Sequence, residues 1–87
     1  MAAKPIVFSR HALFEMRRRG VSRSDVIRLI RSPGQVLPSV KGRTIYQGLI
    51  GAARRLLLRV VVKEEAAAYH VVTAYKTTKI AKYWRTP

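Results

Sequence analysis

Cysteine is absent from this 87-residue chain, which excludes a disulfide framework and a cysteine-ligated zinc site. Acidic residues are almost as scarce. Four Asp and Glu stand against 18 Lys and Arg, a formal net charge of +14. With so few carboxylates and two histidines 59 positions apart, there is no H-E-x-x-H, no paired Asp ladder and no EF-hand loop, so the expected metal and cofactor content is none. None of the five glycines falls in a G-x-x-x-x-G-K-S/T or G-x-G-x-x-G pattern, which argues against nucleotide-triphosphate chemistry. No apolar run approaches the roughly 20 residues that span a bilayer, and residues 1–8 are too weakly basic and apolar for a signal peptide. The expectation is a soluble, cytoplasmic protein without a membrane partner.

What the chain does contain is positive charge throughout. Basic residues occupy 10 of the first 44 positions and 8 of the last 43, so the charge belongs to the fold and not to a tail. Such a balance attracts polyanions, and RNA is the expected partner, free or on the ribosome. A chain this short buries only about 60–65% of its unfolded surface, too little for two cores, so residues 1–87 are expected to form one domain. Its 48% hydrophobic content suffices for that core without a metal or disulfide.

Periodicity divides the chain in two. Ser9 can cap a helix that carries Ala12, Leu13 and Met16 on its buried side and stops at Gly20. Ser22, with Asp25 three residues on, opens a second helix burying Val26, Ile27, Leu29 and Ile30, and Pro33-Gly34 end it. From residue 35 the texture is β-branched and aromatic, with strands expected near 35–40, 43–50, 54–63, 67–76 and 79–84. Turns are expected at Lys41-Gly42, Gly48 to Gly51 and Glu64-Glu65. The fold class is therefore α+β: an N-terminal two-helix hairpin packed on one face of a four- to five-stranded antiparallel sheet, whose other face stays open to a ligand.

Candidate chemistry sits in three stretches. On the first helix His11, Glu15 and Arg18 fall four and three residues apart, one stripe bordered by Arg19. Metal-free cleavage of a phosphodiester needs a proton acceptor, a proton donor and cations for the phosphate, and this stripe holds all three types. An ordinary solvated face, with Glu15 paired to Arg18 or Arg19, has the same composition. In "ARRLLLRVVVKE", Leu56, Leu58, Val60 and Val62 share the face that should meet the helices, while Arg55, Leu57, Arg59, Val61 and Lys63 share the other. Arg59, mid-strand, suits bidentate phosphate binding. In "AYHVVTAYKTTKIAKYWR", Tyr69, Val71, Thr73 and Tyr75 alternate with the opposite face, and tyrosines interleave with Lys76, Lys79, Lys82 and Arg85 as stacking on RNA requires. Trp84 reads as closing the core, and His70 as a packed strand histidine.

The segments S-R-H-A-L-F-E-M-R-R-R-G-V-S, G-R-T-I-Y-Q, L-R-V-V-V and V-V-T-A-Y-K together resemble a family of small uncharacterised domains related to the BrnT and RelE/ParE toxins. The likeness runs from about residue 8 to 85, and H-A-x-x-x-M-x-x-R-G-V-S and V-V-T-A-Y are its most specific parts. It implies a barnase- and RelE-like fold with metal-independent ribonuclease activity. The positions it implies are His11 and Arg19 on the first helix, Arg43 and Arg59 on strands, and Thr73, Tyr75 and Tyr83 near the C-terminal edge. The usual strand glutamate of barnase-type enzymes has no counterpart here.

Together these readings lead to an expected toxin-like endoribonuclease that cleaves by 2′-hydroxyl attack. His11 would serve as acid or base, because histidine titrates near neutrality. Arg19 and Arg59 would hold the phosphate, with Thr73, Tyr75 and Tyr83 around it. Arg18, Arg43, Arg55, Lys76, Lys79 and Lys82 would bind RNA. An acidic antitoxin protein is the expected partner, since it would mask the +14 surface. Two alternatives stand beside this: a non-catalytic RNA- or ribosome-binding module, and a ParE-like toxin directed at a protein.

Overall fold

A computed structural model describes residues 4–86. Both serines start helices as expected. The Ser9 hydroxyl accepts from the Ala12 amide at 3.0 Å and opens α1 (Arg10–Arg18), and the Ser22 hydroxyl accepts from the Asp25 amide at 3.1 Å and opens α2 (Arg23–Arg31). α1 ends in a Schellman turn. Gly20, at φ 68°, donates to the Arg17 carbonyl, and the Val21 amide donates to the Met16 carbonyl, which folds Val21 back onto Met16 in the core. Ser9→Ala and Ser22→Ala should each lower the unfolding free energy by about 1 kcal/mol, and the losses should add in the double variant, as read by urea denaturation.

The sheet has five strands in the order β1-β5-β4-β3-β2. β2 (Gln35–Pro38), β3 (Thr44–Ile50), β4 (Leu56–Glu64) and β5 (Tyr69–Thr77) pair antiparallel in chain order. The expectation of a wholly antiparallel sheet is corrected by β1 (Ile6–Phe8), which lies parallel to Tyr69–Val71 and makes the sheet mixed. Three residues are too few to show a period of two, and Phe8 reads equally well as packing for the helix that follows. All the intervening elements form the long connection that a parallel neighbour requires.

Both helices contribute to the core on one face, against Leu58, Val60 and Val62 of β4, Tyr46 of β3 and Val71 and Ala74 of β5. Gly48 allows the close approach of α2: a Cβ there would stand 2.7 Å from Leu29 Cδ1. Ile27, expected to be buried, is 39% exposed on the outer side of α2. A β-bulge interrupts β5, where Val61 pairs with Thr73 but Val62 pairs with Val71, leaving Val72 as the extra residue. Tyr69 and Val71 therefore point to the helices, while Thr73 and Tyr75 point to the opposite face; simple alternation would have placed all four together.

The last expected strand, 79–84, is instead a single helical turn, α3 (Ile80–Tyr83). Ile80, Lys82 and Trp84 alternate as a strand would. However, the Thr77 hydroxyl accepts from the Lys79 amide as β5 ends, and the Trp84 amide donates back to the Ile80 carbonyl at 2.8 Å. The second sheet face is consequently not open: Tyr83 and Arg85 reach across it, and Gln47 and Leu57 on that face are completely buried. The β3–β4 reversal also differs from expectation. Gly48 lies inside β3, and the chain turns over Gly51 to Arg55, so Arg55 precedes β4 and Arg43 precedes β3.

Candidate active site

Strand register builds a row of polar side chains across the face opposite α1 and α2. Gln35 pairs with Gln47, Gln47 with Arg59, and Arg59 with Tyr75, one residue from each of four neighbouring strands. At the usual strand spacing the row spans roughly 14 Å. Arg59 is its centre. Its Nε donates to Gln47 Oε1 at 2.9 Å, its Nη1 donates to the Tyr75 hydroxyl, and its guanidinium carbon lies 4.1 Å from the centroid of the Tyr83 ring. Gln47 is held in turn, since its Nε2 donates to Gln35 Oε1 at 2.7 Å and to the Tyr83 carbonyl at 3.1 Å. Gln35 ties down the C-terminal segment by accepting from the Arg85 amide at 3.0 Å.

Arg59 is only 8% exposed, yet among the described residues it pairs with no carboxylate. Its Nη2 has no hydrogen-bond partner there either. Among the described residues no buried side-chain nitrogen or oxygen lacks a partner, so the free Nη2 reaches solvent, and a guanidinium with no carboxylate partner beside two tyrosine rings favours an incoming anion. The geometry thus joins three of the expected site residues, Arg59, Tyr75 and Tyr83.

A second group borders the first. Arg19, at the end of α1, donates from Nη1 to Thr73 Oγ1 at 3.1 Å and to the Ala74 carbonyl at 3.2 Å, while its Nη2 lies 3.1 Å from Glu15 Oε2. Lys76 donates to the Gly20 carbonyl at 2.9 Å. These two cations cover the part of the β5 edge that three-residue β1 leaves unpaired. Thr73 shares the face of Arg59 and lies two residues from Tyr75, about 7 Å along the strand. Arg19 and Thr73 thus link the sheet row to the α1 stripe.

On that stripe His11 is exposed and has no hydrogen bond among the described residues; it does not touch the Arg59 group. Glu15 receives Arg18 Nη2 at 2.6 Å. The hydrogen bond from Arg18, and then the charges of Arg18, Arg19 and His11, hold the Glu15 carboxyl below the usual carboxylate range. A carboxylate lowered in the native state stabilises the fold above its unfolded-chain value and ceases to do so as the pH falls through the native one. Glu15→Gln should therefore reduce stability at pH 7, and the gap from wild type should close on acidification. Urea titrations across pH 2–7 read this, and a pH-independent gap contradicts it.

The remaining expected RNA contacts are scattered. Arg18 is taken up by Glu15 and Lys76 by Gly20, although Arg18 keeps 58% of its side chain exposed. Arg43 and Arg55 lie beyond opposite ends of the β3–β4 ladder and do not converge on Arg59. Lys79 and Lys82 are exposed at α3, with Lys82 Nζ 5.2 Å from the Tyr83 ring centroid. His70 is not packed as expected: its side chain is 43% exposed, and Nε2 lies 3.3 Å from Glu65 Oε1. Trp84 packs at the sheet margin, where a Cβ on Gly34 would stand 3.0 Å from its ring. Gln47 and Gln35, which orient Arg59, were not among the sequence candidates.

An α+β domain with helices over one face of a mixed sheet and a polar row centred on the buried Arg59 on the other defines the structural class. The chain belongs to the family described as Domain of unknown function (DUF4258), which matches residues 8–76 and so leaves out Tyr83. Its fold is similar to the crystal structure of the ribonuclease toxin BrnT of Brucella abortus, with a TM-score of 0.64 over 86% of this chain and 97% of that chain at 15% identity. The resemblance drawn from the α1 and β5 segments is thus borne out at the level of family and fold. No curated protein matches the sequence. Among the described residues no helix is long and apolar enough to cross a membrane.

Proposed function

We propose that the domain is a toxin-like endoribonuclease, cytoplasmic and neutralised by an acidic antitoxin protein. The observation that carries this reading is the buried Arg59 with no carboxylate partner, set between Tyr75 and Tyr83 on a +14 protein. The fold of a protein that is itself a ribonuclease toxin supports it. An RNA phosphodiester placed on Arg59 completes the missing ion pair, and the two tyrosines offer ring faces to the flanking bases. Arg19 supplies a second cation at the adjoining edge.

In the proposed reaction the 2′-oxygen bonds to phosphorus as its proton leaves, and the bond from phosphorus to the 5′-oxygen breaks as that oxygen gains a proton. A 2′,3′-cyclic phosphate and a free 5′-hydroxyl result. His11 transfers one of these protons from the α1 stripe, and the arginines stabilise the charge that develops on the phosphoryl oxygens. The separation of His11 from the Arg59 group favours a second reading, an RNA-binding module without catalysis. Its mark is tight, steeply salt-dependent binding with no products.

Replacing the 2′-hydroxyl at one cleavage position by hydrogen separates the two. Cleavage in EDTA should stop at that position and continue at others. Cleavage that persists there rejects the 2′-hydroxyl mechanism, and intact RNA throughout supports the binding module.

A further inference from the structure

α1 carries a second stripe that the candidate active site does not use. Arg10, Phe14 and Arg17 are spaced by four and three residues, so they align along the helix about 100° around from His11, Glu15 and Arg18. Phe14 is 63% exposed, a large apolar surface to leave in water on a protein this small. Beside it Leu13 and buried Val21 line a groove of about 520 Å³, and Arg10, Arg17 and Arg23 supply its charge. No acidic side chain lines this groove. Glu15, the one acid on α1, is committed to Arg18 and Arg19 on the other side of the helix.

An apolar strip flanked by three cations is the complement of an amphipathic acidic segment. A bulky aliphatic side chain would cover Phe14 and Leu13 while carboxylates meet the guanidinium groups. A nucleic-acid base could stack on Phe14, but Phe14 is the one aromatic side chain lining the groove and offers no second ring for a neighbouring base, whereas the paired tyrosines that suit bases lie on the far face of the sheet with Arg59. We infer that this groove is the docking site for an acidic, amphipathic helical segment of a partner protein, anchored by an apolar residue on Phe14 and by carboxylates on Arg10, Arg17 and Arg23. The partner's role as antitoxin rests on the toxin reading, while the docking chemistry stands without it. A segment seated here lies one helix face from His11, so its flanking acidic residues can repel RNA from the active side.

The test uses the full chain and two fluorescent helical peptides of equal acidic charge, one with a leucine stripe and one with serine in its place. Fluorescence polarisation at physiological salt should show the leucine peptide binding about 30-fold more tightly, the effect of a hot-spot anchor. Phe14→Ser and Phe14→Ala should each remove most of that discrimination, and Arg10→Gln with Arg17→Gln should weaken both peptides. Thermal midpoints and poly-uridine binding should stay unchanged in the Phe14 variants. Equal affinity for the two peptides, or discrimination that survives both Phe14 variants, overturns the inference. So does loss of poly-uridine binding in those variants, which assigns the groove to RNA. If wild type cleaves no RNA yet distinguishes the peptides, the ribonuclease reading fails and the docking site stands.

Discussion

Arg59→Lys is expected to slow single-turnover RNA cleavage by about 10²- to 10³-fold, the usual loss when one preorganised donor to a developing oxyanion is removed. The positive charge is retained, so the loss must come from geometry. Lysine cannot reproduce the Nε bond to Gln47 together with the Nη1 bond to Tyr75, nor the contact of a planar guanidinium 4.1 Å from the Tyr83 ring centroid. Gln47→Glu probes the same centre from the other side. A carboxylate in the place of Gln47 Oε1, which lies 2.9 Å from Arg59 Nε, would neutralise the guanidinium from within. Its expected result is a folded protein that has lost phosphate affinity and cleavage, and that is less stable than wild type because a carboxylate oxygen in place of Nε2 faces the Gln35 Oε1 and Tyr83 carbonyl acceptors. Circular dichroism with kinetics checks both variants. An active Gln47→Glu protein would show that the free charge of Arg59 is not what the substrate uses.

His11→Ala is expected to lower the rate by about 10²- to 10⁴-fold, the range for a positioned proton-transfer group. Because the side chain is exposed and alanine favours helix, the thermal midpoint should stay where it is or rise slightly. A structural role for His11 would shift stability and leave the shape of the pH–rate profile alone. Proton transfer instead predicts that one limb of the profile disappears in the variant. A folded His11→Ala protein with an unchanged rate removes this residue from the mechanism and leaves Arg59, Arg19 and the tyrosines as an RNA-binding surface.

Much of this architecture is written in short-range pattern. The caps at Ser9 and Ser22, the Gly20 stop and the apolar alternation of β4 are local signals, and each appears where the sequence places it. Arg59 was legible for the same reason, since alternation along β4 alone turns it away from Leu58 and Val60. Gln47 was missed, although a signal existed: it lies six residues before Ala53 as Arg59 lies six after, and Gln35 and Gln47 flank Lys41 in the same way. Polar residues equidistant from two turn centres fall opposite one another in a meander. Other features depend on tertiary contact and leave no such mark. The bulge at Val72 looks like unbroken alternation, β1 is too short to announce itself, and α3 departs from a strand-like pattern to cover Arg59 with Tyr83.

The measurement that bears most directly on the Arg59 centre is the product analysis of end-labelled RNA incubated in EDTA with wild type and with Arg59→Lys under single-turnover conditions. Wild type should yield 2′,3′-cyclic phosphate ends, and the variant, equally folded, should yield the same ends about 10²-fold or more slowly. Equal rates for the two proteins, or intact RNA with saturating wild type, would contradict the account.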